Sequence, residues 1–232
     1  MRGLLTAAGL AVAAISGAVP PAVTAAAQQR DWTKVVAATP EGGFRVGNPA
    51  APLKLIEYGS LTCNHCGQFA TQGYPQLLAR YVKSGRLSFE FRNFVRDPAD
   101  LSAALLSRCA GPAGFFALTD RYFANQSSWI GRYQAMGDAQ KKKIDTLPDD
   151  RKLVEFAAVG GLTAMAAQGG VPAARAAQCL ADKIELNRLI RMREIAGQTY
   201  KVEGTPTFIL NGKKLEAHDW TALQPLLGPP AG

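Results

Sequence analysis

Histidine, tryptophan and cysteine are scarce in this 232-residue chain, with two, three and four copies. Beyond an apolar opening stretch from Leu4 to Val19, no run could cross a bilayer, which excludes a protein of several membrane spans. No sequence period recurs, which excludes a solenoid or propeller array. Four cysteines are too few for a small scaffold stapled by disulfides. A zinc site built on Cys63 and Cys66 needs two more ligands, and Cys109, Cys179 and His218 show no paired ligand spacing. No metal is expected on that ground, and no organic cofactor is implied, because a cysteine pair can carry electrons itself. The net charge of +8 comes from basic residues that are scattered apart from Lys141-Lys142-Lys143. That run reads as a solvated helix face, so nucleic acid is not an expected partner.

What remains is a chain with 47% hydrophobic and 19% charged residues, the balance of a soluble globular protein. Arg2, the apolar stretch and the small-residue run Thr24-Ala25-Ala26-Ala27 have the layout of a secretory signal peptide over residues 1–27. An uncleaved anchor is the competing reading, and the short Leu/Ile/Val-rich part and Pro20-Pro21 argue against it. No cysteine sits near the cleavage site to suggest a lipoprotein. Loss of Arg2 leaves 25 basic against 18 acidic residues.

An extended lead-in over residues 28–46 precedes Leu53-Lys54-Leu55-Ile56-Glu57-Tyr58, which reads as a buried strand. From Cys63 the pattern turns helical, with Phe69, Leu77, Leu78, Tyr81 and Val82 at helical spacing and Pro75 expected to kink the helix. Leu87, Phe89 and Phe91 then alternate with polar residues as in a half-buried strand. Residues 97–200 become Ala- and Leu-rich helices interrupted by glycines, the first capped by Asp97 with Pro98 in its first turn. Strand character returns at Thr207-Phe208-Ile209-Leu210, Asn211-Gly212 supplies a tight hairpin turn, and Trp220 to Leu227 suggests a closing helix. The layout is α/β, a thioredoxin-like fold with an inserted α-helical domain. Residues 47–96 and 201–232 form its two halves, and 97–200 the insertion.

A thiolate attacks disulfides and a thiol does not, so the useful cysteine is one whose charged form is stabilised. Cys63 stands at the expected start of a helix, where unpaired N–H groups favour an anion. His65 can add positive charge or a hydrogen bond, and Cys66, one turn on, is placed to resolve a mixed disulfide. A Cys-x-x-Cys pair opening a helix after a buried strand is a redox signature, with a purely structural disulfide as the bland alternative. Pro206, at the start of a strand, implies a turn of the kind where cis bonds occur.

The run Glu57-Tyr58-Gly59-Ser60-Leu61-Thr62-Cys63-Asn64-His65-Cys66, followed by Gly204-Thr205-Pro206-Thr207-Phe208, resembles the DsbA-like family of bacterial periplasmic thiol:disulfide oxidoreductases. The resemblance runs from about Gly47 to the C-terminus. It implies that Cys63 is the nucleophile, Cys66 the resolving thiol and Pro206 a cis-proline beside them. It also implies that the Thr205 backbone pairs with substrate and that Glu57 is the buried acid relaying protons. Asn64-His65 departs from the Pro-His of strong oxidants, and Thr205 stands where they carry valine. Cys109 and Cys179 are expected to form a structural disulfide clamping the insertion, as in some relatives; tuning of the reactive centre is the sharper alternative. His218 reads as a helix-capping neighbour, and Phe115, Phe116, Tyr122 and Phe123 as insertion core.

The expectation is an oxidase that forms disulfides in reduced exported proteins in the periplasm, reoxidised by a quinone-linked, DsbB-like membrane partner. An isomerase or reductase is the competitor, though isomerases usually carry a dimerisation module and this sequence shows no spare segment for one. A non-redox binding module or chaperone is the alternative of another class.

Overall fold

The computed structural model describes residues 30–230. The leader expected over residues 1–27 lies outside them. Six strands form one sheet: β1 (Val36–Ala38), β2 (Phe44–Gly47), β3 (Leu53–Gly59), β4 (Leu87–Asn93), β5 (Thr207–Leu210) and β6 (Lys213–Lys214). Their order is β1-β2-β4-β3-β5-β6, with β3 and β4 parallel and every other neighbouring pair antiparallel. A parallel pair needs a crossover, and the helix that follows Cys63 supplies it. The expected lead-in turns out to be part of the sheet. Its hairpin sets β2 against β4, with Phe44 opposite Phe91, and strands of three and four residues are too short to show a period.

The crossover helix runs as α1 (Asn64–Gln68), a π-helical turn (Phe69–Gly73), α2 (Tyr74–Leu77) and a second π-helical turn (Leu78–Val82). Pro75 has no N–H to give the carbonyl four residues back. The π-helical turn just before it widens the hydrogen-bond ladder, and the helix continues past the proline. The insertion comprises α3 (Pro98–Cys109), α4 (Gly111–Ala124), α5 (Gln126–Gln134), α6 (Asp138–Asp145), α7 (Asp149–Gly160), α8 (Leu162–Gln168), α9 (Ala173–Leu180) and α10 (Lys183–Tyr200). Lys141, Lys142 and Lys143 are exposed on α6. Cys109, ending α3, is disulfide-bonded to Cys179 of α9. The Asn211-Gly212 turn has positive φ at both residues, as a two-residue hairpin requires. Asp219 caps the closing α11 (Trp220–Leu223).

On one face of the sheet an aromatic core joins strands to insertion. Phe44 stacks on Phe115 at 4.0 Å, and Phe91 packs edge-on to Phe123. Phe115, Tyr122 and Phe123 are buried in this core, with Phe116 packed against it. On the other face, Met192 and Ala196 of α10 pack with Tyr58 and Ile209. β4 is therefore covered on both sides, with Ser88 and Arg92 buried, where alternation suggested a half-buried strand. Arg108 fastens the layers: its guanidinium donates to Gly42 O at 2.8 Å and Asn93 Oδ1 at 3.2 Å, and pairs with Glu185 of α10.

Candidate active site

The strand-to-helix turn after β3 puts Cys63 at the N-cap of α1, and the Cys66 N–H lies 3.5 Å from Cys63 Sγ. Across the turn, β5 enters from the cis Thr205-Pro206 bond. The Thr205 carbonyl accepts from the Cys63 thiol at 3.1 Å. Two segments 142 residues apart thus meet at one sulfur. The cis bond turns the chain so that Pro206 is buried beside the motif while Thr207 begins the ladder with β3.

The two thiols sit in opposed environments. Cys63 is lowered to about 5, chiefly because the Cys66 thiol donates to its sulfur. Burial works against this, and the Thr205 side chain, the Cys66 N–H and the charge of Arg96 add to the lowering. The Thr205 carbonyl favours the thiol, since it can only accept; the Thr205 hydroxyl, buried and with no hydrogen-bond partner of its own, favours the thiolate, to which it can turn its proton. Cys66 is fully buried and held well above its ordinary value, first by burial, then by serving Cys63 as donor and by the nearby Glu57.

Glu57 lies on the inner face of β3, opposite Phe91 and Phe208. It is 2% exposed, and burial first, then the charges of Cys63 and Asp120, push its carboxyl well up. A hydrogen bond to Cys66 acts in the other direction. A buried acid whose charge and that of the sheltered thiol bear on each other is placed to exchange a proton with it.

The structure brings Glu57, Cys63, Cys66, Thr205 and Pro206 together. It does not bring His65 onto the sulfur. His65 and Asn64 are exposed on the first turn of α1, and His65 Nδ1 faces Gln68 Oε1 at 3.3 Å. Arg96, at the approach to α3, supplies the positive charge that the motif's histidine was expected to supply.

Three further groups hold the motif and were not singled out in the sequence. Asp100, in the first turn of α3, is fully buried and accepts from Ser60 Oγ at 2.6 Å, Leu61 N at 2.8 Å and Arg96 N at 3.0 Å. Burial pushes its carboxyl up to about 7 against the pull of those donors. Arg96 reaches Ser60 Oγ at 2.9 Å and Thr62 Oγ1 at 3.0 Å. Gln126, opening α5, donates to the carbonyls of Leu61 and Cys63 at 2.8 and 2.9 Å. The insertion thereby grips the loop that presents Cys63. His218 also does more than neighbour a cap. Its Nδ1 lies 3.2 Å from Pro206 O, and since a carbonyl only accepts, that nitrogen carries the proton.

Among the described residues no helix is long and apolar enough to cross a membrane. A family model described as Thioredoxin matches residues 39–228. A Rickettsia bellii protein named as a protein-disulfide oxidoreductase is 27% identical over 202 residues, covering 85% of this chain and 69% of that protein. A similarly named Rickettsia prowazekii protein is 28% identical over 186 residues, covering 79% of this chain. The chain spans only 60% of that relative's length. Among solved structures, a protein-disulfide isomerase from Novosphingobium aromaticivorans aligns with TM-score 0.75 and 33% identity, covering 79% of this chain and 94% of that one. Wolbachia pipientis alpha-DsbA1, at 24% identity and TM-score 0.57, covers 79% of this chain and 87% of its own and shares the fold. The family model's span leads to one conclusion: the chain belongs to the thioredoxin family, and its relatives there are named as protein-disulfide oxidoreductases or isomerases.

Proposed function

We propose that the chain is a thiol:disulfide oxidase that forms disulfides in reduced exported proteins, acting in the periplasm through Cys63 and Cys66. A substrate thiolate attacks Cys63 Sγ in the oxidised pair; the Cys63–Cys66 bond breaks, and Cys66 leaves and takes up a proton from Glu57. A second substrate thiolate attacks the substrate sulfur of the mixed disulfide, and Cys63 leaves as a thiolate. Two electrons pass from two substrate thiols to the cysteine pair. The reduced pair returns them to a membrane partner, by family resemblance a quinone-linked, DsbB-like protein. Thr205 and Pro206 line the substrate approach.

The observation that carries this reading is the split between the thiols, with Cys63 lowered to about 5 and Cys66 raised. A thiolate stable at pH 7 is a good leaving group, and stabilising it favours the reduced pair, so the disulfide oxidises more strongly. Holding Cys63 near 5 favours the reduced form at pH 7 by about 2 kcal/mol once solvent access is allowed for, or roughly 40 mV. The test is turnover on ribonuclease. The reading expects fast oxidation of reduced ribonuclease and slow rescue of the scrambled form, and the reverse order would refute it.

A second reading, disulfide isomerase, is favoured by the name of the Novosphingobium aromaticivorans structure, the more similar of the two solved structures described. Thr205 ahead of Pro206 also suits it. The same pair of assays separates the two.

A further inference from the structure

Glu57 Oε1 is buried and has no hydrogen-bond partner, and its neighbours across the sheet, Phe91 and Phe208, offer it none. An orphaned buried oxygen costs roughly 1–3 kcal/mol, more if it is charged. Beside it lies a cavity of about 10 Å³, walled by Phe69, Phe116 and Phe123 and by Glu57, Thr119 and Asp120. That volume is close to what one water needs, provided it finds at least two polar partners. A second lining atom is orphaned as well: Thr119 Oγ1, on a residue 2% exposed, has no partner. A helical threonine commonly bonds the carbonyl four residues back; this one does not. Asp120, the next residue of α4, lines the same cavity and is also open to solvent.

We infer that this cavity binds one water bridging Glu57 Oε1 and Thr119 Oγ1, and that Asp120 passes protons between that water and solvent. Thr119 and Asp120 are then positioning residues that act through Glu57. The inference rests on the redox role proposed for Cys63 and Cys66. When Cys66 leaves the opened disulfide, its sulfur takes the Glu57 proton. The water reprotonates Glu57, Asp120 reprotonates the water, and solvent restores Asp120. One proton moves along the path and no electrons do, and oxidation of the pair runs it backwards. The ionisable groups facing Glu57 are Cys63 and Cys66 at the start of α1, Asp120 from α4 and Tyr74 from α2. Desolvation by its apolar neighbours pushes Asp120 up to about 7 although the residue keeps an exposed edge, which brings it toward the raised Glu57 and suits exchange near neutral pH.

The test follows the rate at which a reduced peptide opens the Cys63–Cys66 disulfide, from pH 5 to 9, in Asp120→Asn, Thr119→Val, Thr119→Ser and Glu57→Gln, with thermal midpoints alongside. Expected for Asp120→Asn and Thr119→Val is a rate lowered about tenfold, less than the roughly hundredfold of losing a direct acid. The inflection near pH 7 should vanish in Asp120→Asn, and Thr119→Ser should restore the rate because it keeps the hydroxyl. An unchanged rate and pH profile in Asp120→Asn, with Glu57→Gln slowed, would overturn the relay alone. An unchanged Glu57→Gln would overturn the role of Glu57 itself. Independently of folding effects, a high-resolution crystal structure should show density bridging Glu57 Oε1 and Thr119 Oγ1; a dry cavity overturns the inference.

Discussion

Replacing Thr205 by valine tests the electrostatics of Cys63 with little change of shape. The Thr205 hydroxyl is a buried donor with no hydrogen-bond partner, and it lowers Cys63, while the Thr205 carbonyl stays in place in the variant. A hydrogen bond to a charged group contributes roughly 1.5–3 kcal/mol, and the lower end applies because other donors share this sulfur. Losing about 1.5 kcal/mol raises Cys63 by about one pH unit, from about 5 toward 6. The sign follows from linkage. At pH 7 the thiolate stabilises the reduced pair, so a weaker thiolate makes the disulfide a weaker oxidant, by roughly 30 mV. Thiolate absorbance against pH gives the first quantity and equilibration with glutathione the second. If neither moves in a variant that folds normally, the hydroxyl does not serve the thiolate, and the account of Cys63 loses one of its three donors.

Asp100→Asn places an amide where three donors converge on two oxygens, so one N–H or hydroxyl loses its acceptor, at about 1–3 kcal/mol in urea unfolding. Because burial raises Asp100 to about 7, the wild type binds more protons folded than unfolded between about pH 4 and 7. Its stability relative to Asp100→Asn should therefore fall as pH rises through that window, and a flat difference would contradict the raised carboxyl. Gln126→Met removes both donors to the Leu61 and Cys63 carbonyls and should cost about 2 kcal/mol while slowing substrate oxidation; unchanged stability and rate would deny Gln126 any grip on the motif. Replacing Cys109 and Cys179 by serine opens a disulfide spanning 70 residues, with an expected loss of about 4 kcal/mol from loop closure. The Cys63/Cys66 potential should stay put, because α3 separates Cys109 from Asp97 and Asp100 by about 15 Å of helix. A moved potential would favour tuning.

Local chemistry made much of the site legible from the sequence. Cys63 at a helix start, Asn211-Gly212 as a turn and Pro206 at a strand start each follow from what one or two residues can do with their own backbone. The grip on the motif was not legible in this way. Asp100 meets Leu61 across 39 positions and Gln126 meets Cys63 across 63. In isolation Asp100 is an acid in a helix's first turn, common there for dipole reasons alone. Asp100 becomes a clamp only once α3 is packed against the loop. His65 misled for the converse reason. Proximity in sequence suggested that it serves Cys63, but a residue two places into a helix points away from the N-cap, and Arg96 lies closer in its effect. The burial of β4 on both faces likewise depends on α10, about a hundred residues downstream.

The most direct test of the central claim is the equilibrium of the Cys63–Cys66 disulfide with glutathione at pH 7. The lowered Cys63 predicts a potential well above thioredoxin's value of about −270 mV, toward the roughly −120 mV of DsbA. A value near that of thioredoxin, with no oxidation of reduced ribonuclease, would contradict it.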